Sequence, residues 1–167
     1  MQANGKRNQP CGYLGDAKHP CKCAPIAVEK YLGRISGPLL DRIDLHIEVP
    51  SVPYEELSRT TDGTSSATMR ADVDRARAVQ AERFGGVGKV NARMAPRQMR
   101  TYCTPDADGR EMLANAMDDL GLSARAHDRI LPVARTIADL EGAPTLTGNH
   151  LAEAIGYRTL DRKLWQR

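Results

Sequence analysis

Aromatic side chains are scarce in this chain: one tryptophan, one phenylalanine and five tyrosines among 167 residues. A core must therefore be built from Leu, Ile, Val, Met and Ala. Long apolar runs are missing too. No stretch approaches the roughly 20 apolar residues a membrane-crossing helix needs. The opening MQANGKRNQP has no apolar centre of the kind a secretory signal carries. The expectation is a cytoplasmic protein without a membrane partner. A strong charge of one sign is absent as well. The 24 basic and 21 acidic residues leave a net +3, which permits contact with nucleic acid without arguing for it. Four cysteines are too few for a disulfide framework at this length. Three of them, Cys11, Cys21 and Cys23, crowd one loop, and Cys103 stands alone as a small core residue.

What is present divides in two. Residues 1–57 are largely irregular and rich in Gly, Pro, Cys and Lys. They end in a short helical turn at Pro38 to Leu40 and then IDLHIEV, whose Ile43, Leu45, Ile47 and Val49 alternate with Asp44, His46 and Glu48. Period-two alternation predicts a strand with His46 on its outer side. A lone strand has two unpaired edges, so either its sheet lies outside this chain, as part of a larger unit, or it pairs with a partner not evident in the sequence. A polar loop, RTTDGTSSA, follows.

Residues 66–167 read as helices. Ser66 is expected to cap a helix reaching Phe84, with Met69, Val73 and Ala76 inward. GGVGK at 85–89 ends it, and Pro96 starts a short helix carrying Met99. Residues 106–119 form another, with Met112, Leu113 and Met117 inward. The strongest pattern runs from Leu122 to Leu140, capped by Ser123, with Ala126, Ile130, Val133, Ala134, Ile137 and Leu140 at helical spacing. Pro132 lies inside it and should kink it or remove a backbone bond. Thr147 caps a last helix through Ile155, with Leu151, Ala154 and Ile155 inward.

Four segments, in order, carry a resemblance: YLGRISGPLLDRIDLHIEVP, NARM, LSARAHDRILPVARTIADLEG and LTGNHLAEAIGYRTLDRKLW. They resemble the C-terminal half of the Mg-chelatase-like AAA+ ATPases, in particular their bacterial competence-associated (ComM/YifB-type) group. The resemblance implies a mainly α chain: an all-helical lid over 66–167, preceded by a strand-and-loop remnant of the α/β core over 1–57. It further implies ATP and Mg2+ as cofactors, a hexameric ring made with copies of itself, and DNA as the partner on which a branch-migration motor works. Arg42 matches the family's arginine finger, which acts on nucleotide held by the next subunit. A guanidinium suits that task because it stays charged and offers a rigid fork to phosphate oxygens. Asp41 and Asp44 would hold it in the absence of nucleotide. Arg125 matches the sensor-2 arginine of the lid, which touches phosphates in its own subunit.

Other parts of the family pattern are missing. GGVGK is the nearest approach to a phosphate-binding G-x-x-x-x-G-K-[ST] loop, but Arg83 stands where the first Gly belongs and Val90 where the Ser/Thr belongs. No apolar strand ends in Asp-Glu. The chain alone is therefore expected not to hydrolyse ATP. PCGYLGDAKHPCKC resembles the family's four-cysteine insert, with Gln9 in place of the first cysteine and departures at Arg7 and Asn8. Cys11, His19, Cys21 and Cys23 would make a Cys3His zinc set; a degenerate loop with free thiols is the other reading.

His127 and His150 read as surface or partly buried. Arg158, Arg162, Lys163 and Arg167 form a basic cluster that reads as a solvated helix end able to touch DNA phosphates, and Trp165 as packing the tail on the lid. Two other function classes fit: a metal-insertion motor subunit, disfavoured by LDRIDLHIEVP, and a non-enzymatic helical oligomerisation or adaptor module.

Overall fold

The computed structural model describes residues 11–14, 19–34, 36–47, 49, 52, 54–58 and 63–158. The expectations for Arg7, Asn8, Gln9, Arg162, Lys163, Trp165 and Arg167 lie outside those residues. The fold is mainly helical. In chain order the helices are α1 (Pro25–Leu32), α2 (Gly37–Leu40), α3 (Tyr54–Leu57), α4 (Ser66–Phe84), α5 (Pro96–Tyr102), α6 (Ala107–Leu120), α7 (Ala124–Glu141) and α8 (Gly148–Gly156), with a 3-10 turn at Asn91–Arg93. None of the described helices is long and apolar enough to cross a membrane.

The chain separates into two compact units. One comprises Met1–Leu40 and Ile47–Arg59, the other Asp41–His46 and Thr60–Arg167. The six residues around Arg42 thus belong to the helical unit.

Cap chemistry sets most helix ends of that unit. Ser65, one residue before the expected Ser66, accepts the N–H of Thr68 and starts α4. Asp106 does the same for Gly109 in α6, and Ser123 for Ala126 in α7. Each satisfies an amide that the helix itself leaves without a partner. Gly85, Gly121 and Gly142 take left-handed conformations that close α4, α6 and α7. α7 runs unbroken through Pro132.

The core forms where α7 meets α6 and α8. Leu113, Leu122, Ala126, Ile130, Leu131, Ala134, Ile137, Ala138, Leu146, Leu151 and Ala154 are buried together, with Cys103 among them. Burial pushes the Cys103 thiol up to about 11, so it remains a protonated apolar group. Met99, Met117, Val133 and Ile155 pack against this cluster, whereas Met112 and Leu140 face outward.

Three expectations are overturned. No strand forms among the described residues of 41–49. A strand needs a neighbouring edge; here the backbone groups are spent on helical-unit partners instead, the His46 N–H on the Tyr157 carbonyl at 2.7 Å and the Ile43 carbonyl on Arg158 at 2.9 Å. The expected polarity is reversed as well: His46 is 5% exposed while Ile47 is 66% exposed. On α4, Met69 and Val73 are exposed, and the buried positions are Ala76 and Gln80. α4 carries too few apolar residues to cover the core with a greasy face, and it docks through polar groups described below.

α6 approaches α8 so closely that Gly109 has no room for a side chain. A Cβ there would lie 2.8 Å from Leu151 Cδ1, 2.9 Å from Asp106 Oδ1 and 3.0 Å from Pro105 Cβ. Alanine has the better helix propensity by about 1 kcal/mol, but overpacking typically costs about 1–3 kcal/mol. Gly109→Ala should therefore lower stability, by up to about 2 kcal/mol in a urea titration; a raised midpoint would show that the two helices part freely.

Candidate functional site

The segment Asp41–His46 is fastened to the helical unit at several points. Ser123 Oγ, while capping α7, donates to Asp41 Oδ2 at 3.2 Å. Arg129, one and a half turns into α7, donates to Asp44 Oδ1 at 3.2 Å. Arg158, just past α8, donates to the Ile43 carbonyl at 2.9 Å and lies 4.0 Å from Asp41 Oδ1. Arg158 is buried, which corrects its reading as a solvated, DNA-facing end of α8. The Ile43 carbonyl receives the guanidinium through Nη1, and the Asp41 carboxylate nearby offsets part of the cost of burying its charge.

Arg42 is exposed, and so is Arg125 in the first turn of α7. Among the described residues neither makes a hydrogen bond or ion pair. Asp41 and Asp44 do not hold Arg42; they hold the segment to α7 through Ser123 and Arg129. Because Ser123 lies two residues before Arg125, that anchor puts the Arg42 segment at the end of α7 that carries Arg125. This end also presents the helix's uncompensated N–H groups, which favour anions.

GGVGK is a loop and no phosphate cradle. Gly85 closes α4, and Lys89 Nζ donates to the Phe84 carbonyl at 3.0 Å. The described loop therefore does not fit a nucleotide's phosphates.

The rigidity behind the site comes from a polar cluster that apolar patterning does not reveal. Asp139 is buried in α7 and receives Arg83 Nη1 at 2.7 Å, Asn91 Nδ2 at 2.8 Å and Arg135 Nε at 3.0 Å; a second bond comes from Arg83 Nη2. Arg83 also donates to Asn91 Oδ1 at 3.0 Å, and Gln80 accepts the Asn91 N–H at 3.3 Å. Arg135 reaches on to the Pro144 carbonyl at 3.0 Å and to that of Ala143. Burial pushes the Asp139 carboxyl up, but hydrogen bonds from Arg83 and Asn91 and the charges of Arg135 and Arg83 outweigh it and hold it below the ordinary aspartate value. The one sequence signal was the i,i+4 spacing of Arg135 and Asp139. His150, buried, accepts the Thr147 N–H on Nδ1 at 3.0 Å and meets Glu141 through Nε2 at 2.9 Å, so that Nε2 carries the proton.

In the other unit, Cys11, Cys21 and Cys23 come together with their sulfurs within 4.8 Å of one another. His19 is not in that group; its ring packs on Tyr13, centroids 5.1 Å apart. The backbone N–H of Tyr13 holds the Cys11 thiol down at about 7, with further help from Cys23, Cys21 and the N–H of Lys22.

The family described as magnesium chelatase, subunit ChlI C-terminal, matches residues 63–158, and the one described as magnesium chelatase, subunit ChlI, matches residues 4–57. This chain belongs to the Mg-chelatase-like family. It is 44% identical over 144 residues to the competence protein ComM of Haemophilus influenzae and 43% identical over 144 residues to YifB of Salmonella typhimurium. In each case 86% of this chain and 28% of the relative are covered. A more distant relative, Mb2921c of Mycobacterium bovis, is 33% identical over 150 residues, 89% of this chain and 30% of that protein. The chain is thus of the ComM/YifB type and spans less than a third of the length of these relatives.

The acid dependence of the helical unit follows from Asp139. Its folded-state pKa is depressed, so its contribution is complete above the ordinary aspartate range, near pH 4, and is lost as pH falls through the lowered native value. Asp139→Ala takes the carboxylate away from buried Arg135 and part-buried Arg83 and should cost about 3–5 kcal/mol. Asp139→Asn should flatten the loss of stability between about pH 5 and pH 2, read by denaturant titration across that range; an unaltered acid limb would discount the cluster.

Proposed function

We propose that this chain supplies the arginine-presenting and lid portion of a ring-forming, ATP-driven DNA-remodelling motor of the ComM/YifB type. Arg42 reaches ATP bound by the neighbouring subunit, and Arg125 reaches ATP in its own. ATP and Mg2+ are the cofactors of the assembled ring, and copies of the same protein and DNA are its partners. The phosphate cradle and the metal-holding carboxylates come from residues other than those described here.

One observation supports the reading above the rest. Residues on both sides of Arg42 are engaged by the helical unit, yet Arg42 itself is exposed and without a partner among the described residues. Arginines next to aspartates ordinarily pair with them. A guanidinium kept clear of two adjacent carboxylates is available to an anion from outside. Arg125 has the same character in the first turn of α7, where a cation is mildly disfavoured by the helix dipole and an incoming phosphate removes the conflict. The competence name of the Haemophilus influenzae relative is what directs the proposal to DNA.

The test uses the whole ATPase that carries this segment. Arg42→Ala should cut turnover by roughly 10^3-fold or more while ATP affinity changes little, and Arg125→Ala should weaken ATP binding. Mixing Arg42→Ala subunits with subunits unable to bind ATP should restore part of the turnover, since an intact finger then faces an intact site. Turnover unaffected by Arg42→Ala, or mixed rings without recovery, would refute action across the subunit boundary.

A further inference from the structure

We propose that Cys11, Cys21 and Cys23 form a three-thiolate zinc site ahead of α1, with the metal's fourth position open to water. The site belongs to the unit that does not contain the two arginines and goes beyond the ATPase reading.

The spacing of the sulfurs carries the proposal. Zinc–sulfur bonds of about 2.3 Å at a tetrahedral angle put neighbouring sulfurs about 3.8 Å apart. A disulfide puts them about 2.05 Å apart. Cys11 and Cys21 have their sulfurs 3.5 Å apart, and all three sulfurs lie within 4.8 Å. The Cys11–Cys21 separation is close to the edge length of a metal's coordination shell, the third sulfur is near enough to close on the same ion, and all are well outside a covalent bond. Three sulfurs at such separations also have little reason to gather for packing, because the cysteines are only half-buried.

The local chain explains how they meet. Gly12 takes φ 81°, a conformation open to glycine at little cost. It turns the chain directly after Cys11, so that the Tyr13 N–H comes back to the Cys11 sulfur. The Lys22 N–H also reaches Cys11, and the Cys11 N–H reaches Cys23. Amide donors directed at sulfur stabilise a negative sulfur and fix its direction, as second-shell donors do around bound metals. Cys21 and Cys23 flank Lys22 in a stretch with no helix of its own, which lets both side chains turn to one side. Soft thiolates select zinc or copper(I) over hard oxygen-seeking cations, and a borderline-soft dication with no redox demand is the ion this loop suits. His19, whose ring packs at a tilt on that of Tyr13, is not in the sulfur cluster, in contrast to the Cys3His set expected from the sequence.

The experiment uses the full 167-residue chain, reduced and metal-free, titrated with Zn2+ against a chromophoric chelator and separately with Co2+. One equivalent should bind, and Co2+ should give thiolate-to-metal charge-transfer bands. Cys11→Ser, Cys21→Ser and Cys23→Ser should each lower zinc affinity by tenfold or more, while Cys103→Ser and His19→Ala leave it within about twofold. Far-ultraviolet circular dichroism of each variant shows whether it has folded; should a serine variant not fold, alkylation of the three thiols blocked by Zn2+ in the unmutated chain gives the same readout. Binding far below one equivalent, charge-transfer bands that survive the cysteine variants, or a Cys11–Cys21 disulfide formed in place of metal uptake would overturn the site. An equal loss in His19→Ala would overturn its three-thiolate composition.

Discussion

The helical unit depends on one buried carboxylate. Asp139 would be untenable there as a bare charge, since taking an ion out of water costs several kcal/mol even after relaxation. Four donor atoms from three residues meet it: two from Arg83, one from Asn91 and one from Arg135. Those residues come from the end of α4, the 3-10 turn and α7, so a single anion joins three elements distant in sequence. Arg135 then passes the constraint to the chain beyond α7 through the Ala143 and Pro144 carbonyls. Removing one donor leaves the buried charge with fewer partners to offset its desolvation. The angle between α4 and α7 is accordingly set by hydrogen-bond direction more than by apolar packing, which is why α4 tolerates exposed Met69 and Val73 along its first half.

Contacts outside that cluster are graded in strength. The bonds from Ser123 to Asp41 and from Arg129 to Asp44 are exposed, and exposed pairs of this kind contribute about 0–1 kcal/mol each and weaken with salt. The Arg158 bond to the Ile43 carbonyl involves a buried guanidinium and is harder to break, because a desolvated charge must keep a partner. The segment around Arg42 is therefore held firmly at Ile43 and lightly at Asp41 and Asp44. Such an arrangement permits small adjustments of the exposed arginine without detaching the segment from the unit.

The legible parts of the sequence were those governed by apolar period and cap chemistry. α7 has a narrow apolar stripe broken by charge, and the stripe's Ala126, Ile130, Ala134 and Ile137 are buried as the spacing requires. Ser123 caps because a short polar side chain before a helix has one good use for its oxygen. The GGVGK loop was recognisable from its misplaced Arg83 and Val90 alone. What failed shares a physical reason. Alternation over 43–49 specifies which residues share a side only if a sheet edge exists, and a different partner for the backbone cancels the rule. Asp139, Arg135, Asn91 and Arg158 are buried through pairing, and a hydropathy pattern assigns each of them to the surface. Gln80 and Arg83 hid the inner face of α4 in the same manner. Arg42 and Arg125 were singled out only through family resemblance; that both are exposed and unpaired among the described residues is a fact of the structure, and pairing cannot be read from one chain's letters.

The loss of the expected strand bears directly on how Arg42 could act. A strand end would give the guanidinium a rigid mount through sheet hydrogen bonds. In its place the structure anchors the residues on both sides: Asp41 through its side chain, Ile43 through its carbonyl and Asp44 through its side chain. Those anchors all sit on the helical unit, two of them in the first half of α7. Arg42 is thereby referred to the same helix that carries Arg125. If both arginines address phosphates, one in the neighbouring site and one in its own, then a reorientation of α7 that follows nucleotide at Arg125 acts on the Arg42 segment through Ser123 and Arg129, against the hold that Arg158 and Tyr157 beyond α8 keep on the Ile43 carbonyl and the His46 N–H. The anchoring that a sheet edge would have provided is supplied by helical-unit partners on either side of Arg42.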